Sequence, residues 1–199
     1  FVTGPGRSLG QSLVDSKDID GVTFTGSLPV GMGIYRSFAQ GAYVRPVILE
    51  LGGKNPAIVS RNADLDRAAT GIVRSAFGLQ GQKCSASSRV SVEEPVYEKQ
   101  LEKLKDLTEA LVIGDPSQKG VNMGPVINES AYNDFKDFTE EISQAGGRFV
   151  TGGHIKTGAG YENGYFCEPT IVADLPRSHR FWQEEMFLPI TTDTKVDNQ

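Results

Sequence analysis

Short apolar segments alternate with longer amphipathic segments along the 199-residue chain. We predict helices over 29–42, 65–79, 96–110 and 131–145. Runs rich in β-branched and aromatic residues predict strands at 22–25, 46–51, 57–59, 88–92, 148–151 and 166–172. Because strands that alternate with helices form parallel units, the pattern predicts an α/β fold with a mainly parallel sheet and helices on its faces.

Both ends of the chain resemble the interior of a longer sequence. The chain opens on Phe1-Val2-Thr3 as if within a strand, without an initiator Met, and it stops after Gln199 without an obvious closing element. We therefore expect an internal piece of a longer protein.

Composition and charge remove several classes of protein. Apolar residues at 38% and charged residues at 23% are ordinary for a globular domain and exclude a low-complexity disordered chain. The 20 basic residues against 25 acidic ones give a formal charge of −5, which would not attract a phosphate backbone, so we expect no nucleic-acid partner. No run of about 18 uninterrupted apolar residues occurs, so we expect no membrane partner either.

The two cysteines have different surroundings. Cys84 and Cys167 form neither a CxxC pair nor a zinc-finger spacing, so we expect no metal site. So few cysteines also indicate a reducing compartment, the cytoplasm or, in a eukaryote, the mitochondrial matrix. Cys84 lies in a polar, glycine-flanked loop beside Lys83, where an ammonium and loop N–H groups favour the nucleophilic thiolate. Cys167 lies in a predicted strand, where we expect it to pack.

One carboxylate lies in an unusual position. Glu50 belongs to the apolar run 46–51, which is typical of a strand buried on both faces. Burial there would disfavour the charged carboxylate, which makes Glu50 a candidate acid or base. A buried glutamate paired with Lys54 or an arginine explains the position equally well.

Two glycine-rich turns could hold a nucleotide. Gly4-x-Gly6-x-x-x-Gly10 follows a strand and precedes a helix, and Phe24-Thr25-Gly26-Ser27 has the same arrangement. Backbone N–H groups at such a turn can bind a phosphate. A tight turn that simply requires glycine is the alternative for both.

Three motifs occur in an order that connects these residues to one family. They are Glu50-Leu51-Gly52-Gly53-Lys54-Asn55-Pro56, then Gly81-Gln82-Lys83-Cys84-Ser85, then Glu184-Glu185-Met186-Phe187-Leu188-Pro189. They resemble the general-base, nucleophile and cofactor-ribose motifs of the aldehyde dehydrogenase superfamily. The segment 78–86 is most similar to the branch that oxidises Δ1-pyrroline-5-carboxylate, the cyclic form of glutamate semialdehyde.

The resemblance implies an NAD(P)-dependent oxidation of an aldehyde. Cys84 would attack the aldehyde carbon, and Glu50 would activate the water that hydrolyses the resulting thioester. The residues expected to approach NAD or NADP are Gly6, Gly10, Gly26, Ser27, Leu51, Gly52, Glu185 and Phe187. Among these, Ser27 would lie near the pyrophosphate, Glu185 would bind the nicotinamide ribose and Phe187 would pack near the ring. Leu188 occupies a position where the family usually has glycine, which would crowd the cofactor side.

The resemblance also implies a domain organisation and an assembly. Residues 1–52 would form the C-terminal part of a Rossmann-like cofactor domain, and residues 53–199 a catalytic domain that is incomplete at its C-terminus. The full-length protein is expected to be a homo-oligomer, and the isolated chain to bind NAD poorly and to turn over slowly or not at all.

Two other functions remain open at this stage. The same residues could oxidise generic aliphatic or aromatic aldehydes. The chain could also be a truncated, non-catalytic module that only associates with other subunits.

Overall fold

The computed structural model describes residues 1–197. Its helices are α1 (Gln11–Asp15), α2 (Leu28–Ala39), α3 (Leu65–Phe77), α4 (Tyr97–Glu109) and α5 (Glu129–Gln144). Its strands are β1 (Val22–Thr25), β2 (Val47–Glu50), β3 (Asn55–Val59), β4 (Ser87–Glu93), β5 (Arg148–Thr151), β6 (Thr170–Ala173) and β7 (Ile190–Val196). None of the helices within residues 1–197 combines the length and the apolar character needed to cross a membrane.

The chain forms two compact units, an N-terminal unit of Phe1–Gly52 and a C-terminal unit that starts at Gly53. The division into a cofactor domain over residues 1–52 and a catalytic domain over residues 53–199 stays a prediction.

The N-terminal unit contains a two-stranded parallel sheet of β1 and β2, and α2 packs against β2. Side chains alternate between the faces of a strand, so only one face of this sheet is half-buried. The other face is exposed, and Ile48 on it keeps 58% of its surface accessible. Within this chain β2 is therefore half-buried on one face and not buried on both faces as expected, because a strand is buried on both faces only where both are covered.

The turn at Gly4–Gly10 also differs from its prediction. Residues Gly6–Gly10 form a single π-helical turn that runs directly into α1. Gly6 and Gly10 therefore lie within a helical segment, whereas the sequence predicted a loop ahead of the helix.

The C-terminal unit is built on a five-stranded sheet in the order β3-β4-β7-β6-β5. All pairs are parallel except β5 with β6. This arrangement matches the predicted α/β fold with a mainly parallel sheet. The central strand β7 was missed, because its sequence Ile-Thr-Thr-Asp-Thr-Lys-Val lacks an apolar alternation.

Helices cover both faces of this sheet. Ile171 and Val172 are neighbours on β6 and belong to different apolar clusters, so the clusters lie on opposite faces. One cluster contains residues of α3 and α4, and the other contains Phe135 and Ile142 of α5. Helix α3 begins where Asp64 accepts hydrogen bonds from two backbone N–H groups of the first turn, which is a strong N-terminal cap.

Candidate active site

Cys84 lies on a tight turn between the end of α3 and the start of β4. The N–H of Ala86 donates to the carbonyl of Lys83 at 3.0 Å and closes this turn. The Cys84 side chain is exposed, and within residues 1–197 the N–H groups of Cys84 and Ser85 donate to no acceptor. The turn therefore presents a thiol together with two unused backbone donors.

Cys167 has the opposite surroundings. It is 1% exposed within the α5-side cluster, and burial raises the pKa of its thiol to about 12. It is a packing residue, as the sequence predicts, and at neutral pH it stays a protonated thiol.

Side chains from three places anchor the turn. Asn55, the first residue of β3, donates from Nδ2 to the carbonyl oxygens of Cys84 at 2.6 Å and Ala86 at 3.0 Å. Gln82 accepts from the N–H of Ile127 at 2.9 Å. The Gln80 side-chain amide donates to the carbonyl of Leu79 at 3.1 Å and accepts from the N–H of Gly124 at 2.8 Å.

The segment before the turn has an unusual backbone. Leu79, Gln80 and Gly81 all adopt left-handed φ values, of 53°, 56° and 68°. Such a conformation costs about 1–2 kcal/mol per residue for non-glycine residues, and it persists where the surroundings enforce it. Here hydrogen bonds from Gly124 and Ile127 to the Gln80 and Gln82 side chains hold the segment in place.

Gly81 is required by its surroundings as well as by its φ. A Cβ atom there would overlap the carbonyl oxygen of Leu188 and lie 3.0 Å from that of Ala76. Both neighbours are backbone atoms, so neither can rotate away. This glycine lets the Cys84 loop and the segment 184–189 approach each other.

Replacing Gly81 with alanine should lower the free energy of unfolding by about 3 kcal/mol, because overpacking adds to the left-handed backbone cost. Urea unfolding of the chain would measure this loss. Gly71→Ala is the matched control, because Gly71 is exposed on α3 with open space around it. That variant should gain up to about 1 kcal/mol from helix propensity. Equal effects of the two substitutions would contradict the close approach at Gly81.

Glu185 lies next to the segment that precedes β3. The N–H of Gly53 donates to Glu185 Oε1 at 3.2 Å. The Nζ atom of Lys54 is buried without a hydrogen-bond partner within residues 1–197. Burial and then the charge of Arg89 lower the pKa of Lys54 to about 8, and Glu185 opposes the shift. The segment 53–55 thus contacts both the Cys84 turn and the Glu185 carboxylate.

The neighbours of Glu185 have other roles. Glu184 pairs with Arg180 at 2.7 Å, and Arg180 also binds Glu141, so this glutamate belongs to a surface ion-pair network. Phe187 is exposed and has a left-handed φ of 54°. Leu188 is 4% exposed and packs into the α5-side cluster. Its side chain therefore points into the core, which explains how leucine is accommodated at a position where glycine was expected.

The N-terminal unit contains a cavity of about 690 Å³, large enough for part of a dinucleotide. Gly6 and Gly10 line it, as do Phe24 and two residues of α2, Val30 and Ile34. A Cβ atom at Gly6 or Gly10 would meet no protein atom within 4 Å. The cavity therefore has apolar walls and glycines that leave room for a flat ring, and these residues fit a nucleotide cofactor.

The strand-to-helix turn of the same unit fits a phosphate. Ser27 occupies the N-cap position of α2, but its side chain makes no capping hydrogen bond. The N–H of Gly26 is used, since it donates to the carbonyl of Glu50 at 3.0 Å. The Ser27 hydroxyl is therefore a polar group available at this turn.

Glu50 lies on the exposed face of the N-terminal sheet. The burial on which its candidacy as an acid or base rested is absent from this chain, and its role stays a prediction. Glu50 is the last residue of β2. Leu51 is half-buried in the next position, and Gly52 ends the unit.

Sequence reasoning missed two sets of residues. Asn55 was quoted only as part of a motif, and no local pattern indicates that its side chain bonds a residue 29 positions away. Val30, Gly33 and Ile34 of the cavity were also missed. Their i, i+3, i+4 spacing on α2 is a signal that could have found them.

Comparison with known proteins identifies the family. The model of the aldehyde dehydrogenase family matches residues 1–199. A 1-pyrroline-5-carboxylate dehydrogenase of Geobacillus sp. (strain WCH70) is 41% identical over 200 aligned residues, which cover 98% of this chain and 38% of that protein. The chain thus spans about 38% of the length of the relatives it matches.

Solved structures give the same result. A 1-pyrroline-5-carboxylate dehydrogenase from Thermus with bound NAD is 35% identical and has a TM-score of 0.91, covering 100% of this chain and 38% of that one. A betaine aldehyde dehydrogenase from Staphylococcus aureus in complex with NAD+ is 29% identical, with a TM-score of 0.94 and coverage of 99% and 39%. These matches confirm the predicted fold class and the resemblance drawn from the three motifs. The chain belongs to the aldehyde dehydrogenase family.

Proposed function

We propose that the full-length protein containing this chain oxidises an aldehyde to a carboxylate with NAD or NADP, through a thioester on Cys84. The observation that carries the proposal is the exposed Cys84 thiol on a turn with two unused N–H groups. A thiol in this position can become the attacking thiolate, and the adjacent donors can stabilise a negative oxygen.

The chemistry divides between two residues of this chain. Cys84 Sγ forms a bond to the aldehyde carbon, and the carbonyl oxygen takes up the negative charge beside the Cys84 N–H. The nicotinamide cofactor, when bound, supplies the acceptor for the hydride that leaves this carbon. Glu50 then takes a proton from water, which attacks the thioester on Cys84 and releases the carboxylate and the free thiol. The role of Glu50 rests on its motif.

Residues of both units would hold the cofactor. In the N-terminal unit we assign cavity-lining Gly6 and Gly10, with Gly26 and the Ser27 hydroxyl toward the pyrophosphate. The backbone at Leu51 and Gly52 would pass by the nicotinamide. In the C-terminal unit Glu185 would bind the ribose and exposed Phe187 would pack near the ring. The NAD bound by the Thermus relative supports this assignment.

Glutamate semialdehyde, in equilibrium with 1-pyrroline-5-carboxylate, is the substrate we propose. Its support is the group of relatives named 1-pyrroline-5-carboxylate dehydrogenase at about 41% identity. Generic aliphatic or aromatic aldehydes are the alternative, favoured by the equally close backbone of a betaine aldehyde dehydrogenase. We also propose a cytoplasmic location and a homo-oligomeric assembly for the full-length protein.

Steady-state NADH production by the full-length protein tests the proposal. Glutamate semialdehyde should give a kcat/KM at least about tenfold above that of propionaldehyde, because its carboxylate and amine offer additional contacts in the transition state. Preference for propionaldehyde would keep the reaction and overturn the substrate. No oxidation of either aldehyde with NAD or NADP would overturn the reaction and leave a non-catalytic module.

A further inference from the structure

We propose that Asn55 is the positioning residue of the nucleophile turn: its side-chain amide holds the Cys84 carbonyl so that the neighbouring N–H groups stay free beside the thiol. The proposal deepens the proposed function and rests on Cys84 as the reacting group. It assigns to Asn55 no contact with substrate or cofactor.

Both hydrogens of the Asn55 amide are engaged on this turn. Nδ2 donates to the Cys84 oxygen at 2.6 Å and to the Ala86 oxygen at 3.0 Å. One planar amide thereby holds the carbonyl groups of both Cys84 and Ala86. Aspartate could not make these two bonds from that position, since a carboxylate offers acceptors alone.

Fixing the Cys84 carbonyl also fixes the N–H that follows it. The peptide between Cys84 and Ser85 is planar and trans, so the Ser85 N–H points away from the carbonyl that Asn55 holds. That N–H, like that of Cys84, meets no acceptor in the described part of the chain. The Asn55 bonds therefore fix the direction of the Ser85 N–H, on a turn that bears an exposed thiol and a second unpaired donor at Cys84.

The placement of Asn55 makes it a firm support. It is the first residue of β3, and its register partner on β4 is Ser87, just after the turn. The register shifts between Asn55 and Pro56, so Asn55 lies at an irregularity of the sheet and its side chain bonds the turn that precedes β4. The Asn55 amide thus connects the end of β3 with the Cys84 turn by hydrogen bonds.

Alkylation of the chain by iodoacetamide at a series of pH values, with mass-spectrometric mapping of each cysteine, tests the proposal without substrate or cofactor. Asn55→Asp keeps the shape and removes both donors. At pH 7 it should slow alkylation at Cys84 about tenfold and move the rate profile about one pH unit upward, because the thiolate loses its oriented donors and gains a nearby negative charge. Asn55→Ala should shift the profile in the same direction without the added charge.

Thr170→Val is the matched control. Thr170 is the first residue of β6, and its hydroxyl bridges the N–H of Gly153 and the carbonyl of Glu168. This variant should lower the melting temperature as the Asn55 variants do, but leave the Cys84 profile unchanged. Buried Cys167 reports unfolding within the same experiment, because it reacts only when the core opens.

The outcomes separate the two proposals. Cys84 profiles that coincide in wild type, Asn55→Asp and Asn55→Ala, with Cys167 still protected, would overturn the positioning role whatever the enzyme assay shows. A shifted profile in a full-length protein without dehydrogenase activity would support the positioning role and overturn the proposed function.

Discussion

Replacing Cys84 with alanine in the full-length protein is expected to lower aldehyde oxidation by about 10⁴-fold or more, because no other group can form the thioester. Within residues 1–197 the one other thiol is that of Cys167, which is buried and protonated.

Glu50→Gln should behave differently. It should release about one equivalent of NADH per site in a rapid burst and then turn over about 100-fold more slowly than wild type, because hydride leaves before water attacks.

Cys167→Ala is the control for the first substitution. It removes a buried thiol and should cost some stability, but kcat should stay near that of wild type. Stopped-flow absorbance of NADH distinguishes the cases. Activity retained by Cys84→Ala would overturn the covalent route, and a Glu50→Gln variant with no burst would place Glu50 before hydride loss.

Asp193→Leu is expected to stabilise the chain by about 5 kcal/mol at pH 8 and by much less at pH 4. Asp193 lies in the central strand β7, is 1% exposed, and neither carboxylate oxygen has a hydrogen-bond partner within residues 1–197. Its register partner Val90 belongs to the apolar cluster on the α3 and α4 side of the sheet. Leucine branches at the same carbon as aspartate and removes the buried charge.

The pH dependence follows from the direction of the pKa shift. Burial raises the pKa of Asp193 to about 8, against about 3.9 in an unfolded chain. The folded state therefore holds the proton more tightly, and stability is full below pH 4. It is lost at about 1.4 kcal/mol per pH unit as the pH rises toward 8. Tyr97 is affected too, since burial and then the charge of Asp193 raise its pKa to about 12.

Urea unfolding of wild type and variant between pH 4 and pH 8 measures the difference. Asp193→Asn should show the same loss of pH dependence with a smaller gain, because an unpaired amide remains buried. Asp137→Asn, on the exposed side of α5, should stay within about 0.5 kcal/mol of wild type at every pH. A constant difference between Asp193→Leu and wild type across this range would contradict a buried, titrating carboxylate.

The sequence could predict what depends on local pattern and on motif. Helical spacing located α3, α4 and α5 to within a few residues, and β5 was predicted to the residue. Cys84 and Cys167 were separated correctly into an exposed and a packed thiol, because their neighbours in sequence differ in polarity.

Pattern failed where burial is decided by distant parts of the chain. Strand β7 is polar between Ile190 and Val196, yet its first four residues are buried because β4 and β6 flank it and helices cover both faces. Glu50 lies in an apolar run and is nevertheless exposed. The Asn55 bonds join residues far apart in sequence, and neither propensity nor periodicity contains that information.

The position of β7 has a consequence for how the C-terminal unit acquires its structure. It is the last of the strands along the described chain, and it inserts between β4 and β6. Until β7 has been synthesised, β4 and β6 each present an unpaired edge. The two-stranded pieces β3-β4 and β5-β6 then lack the strand that joins them. Parallel pairing with β4 also closes a loop of about a hundred residues, which makes the step slow. The sheet is therefore completed late, and a nascent chain that stops before Ile190 exposes two edges open to association with other chains.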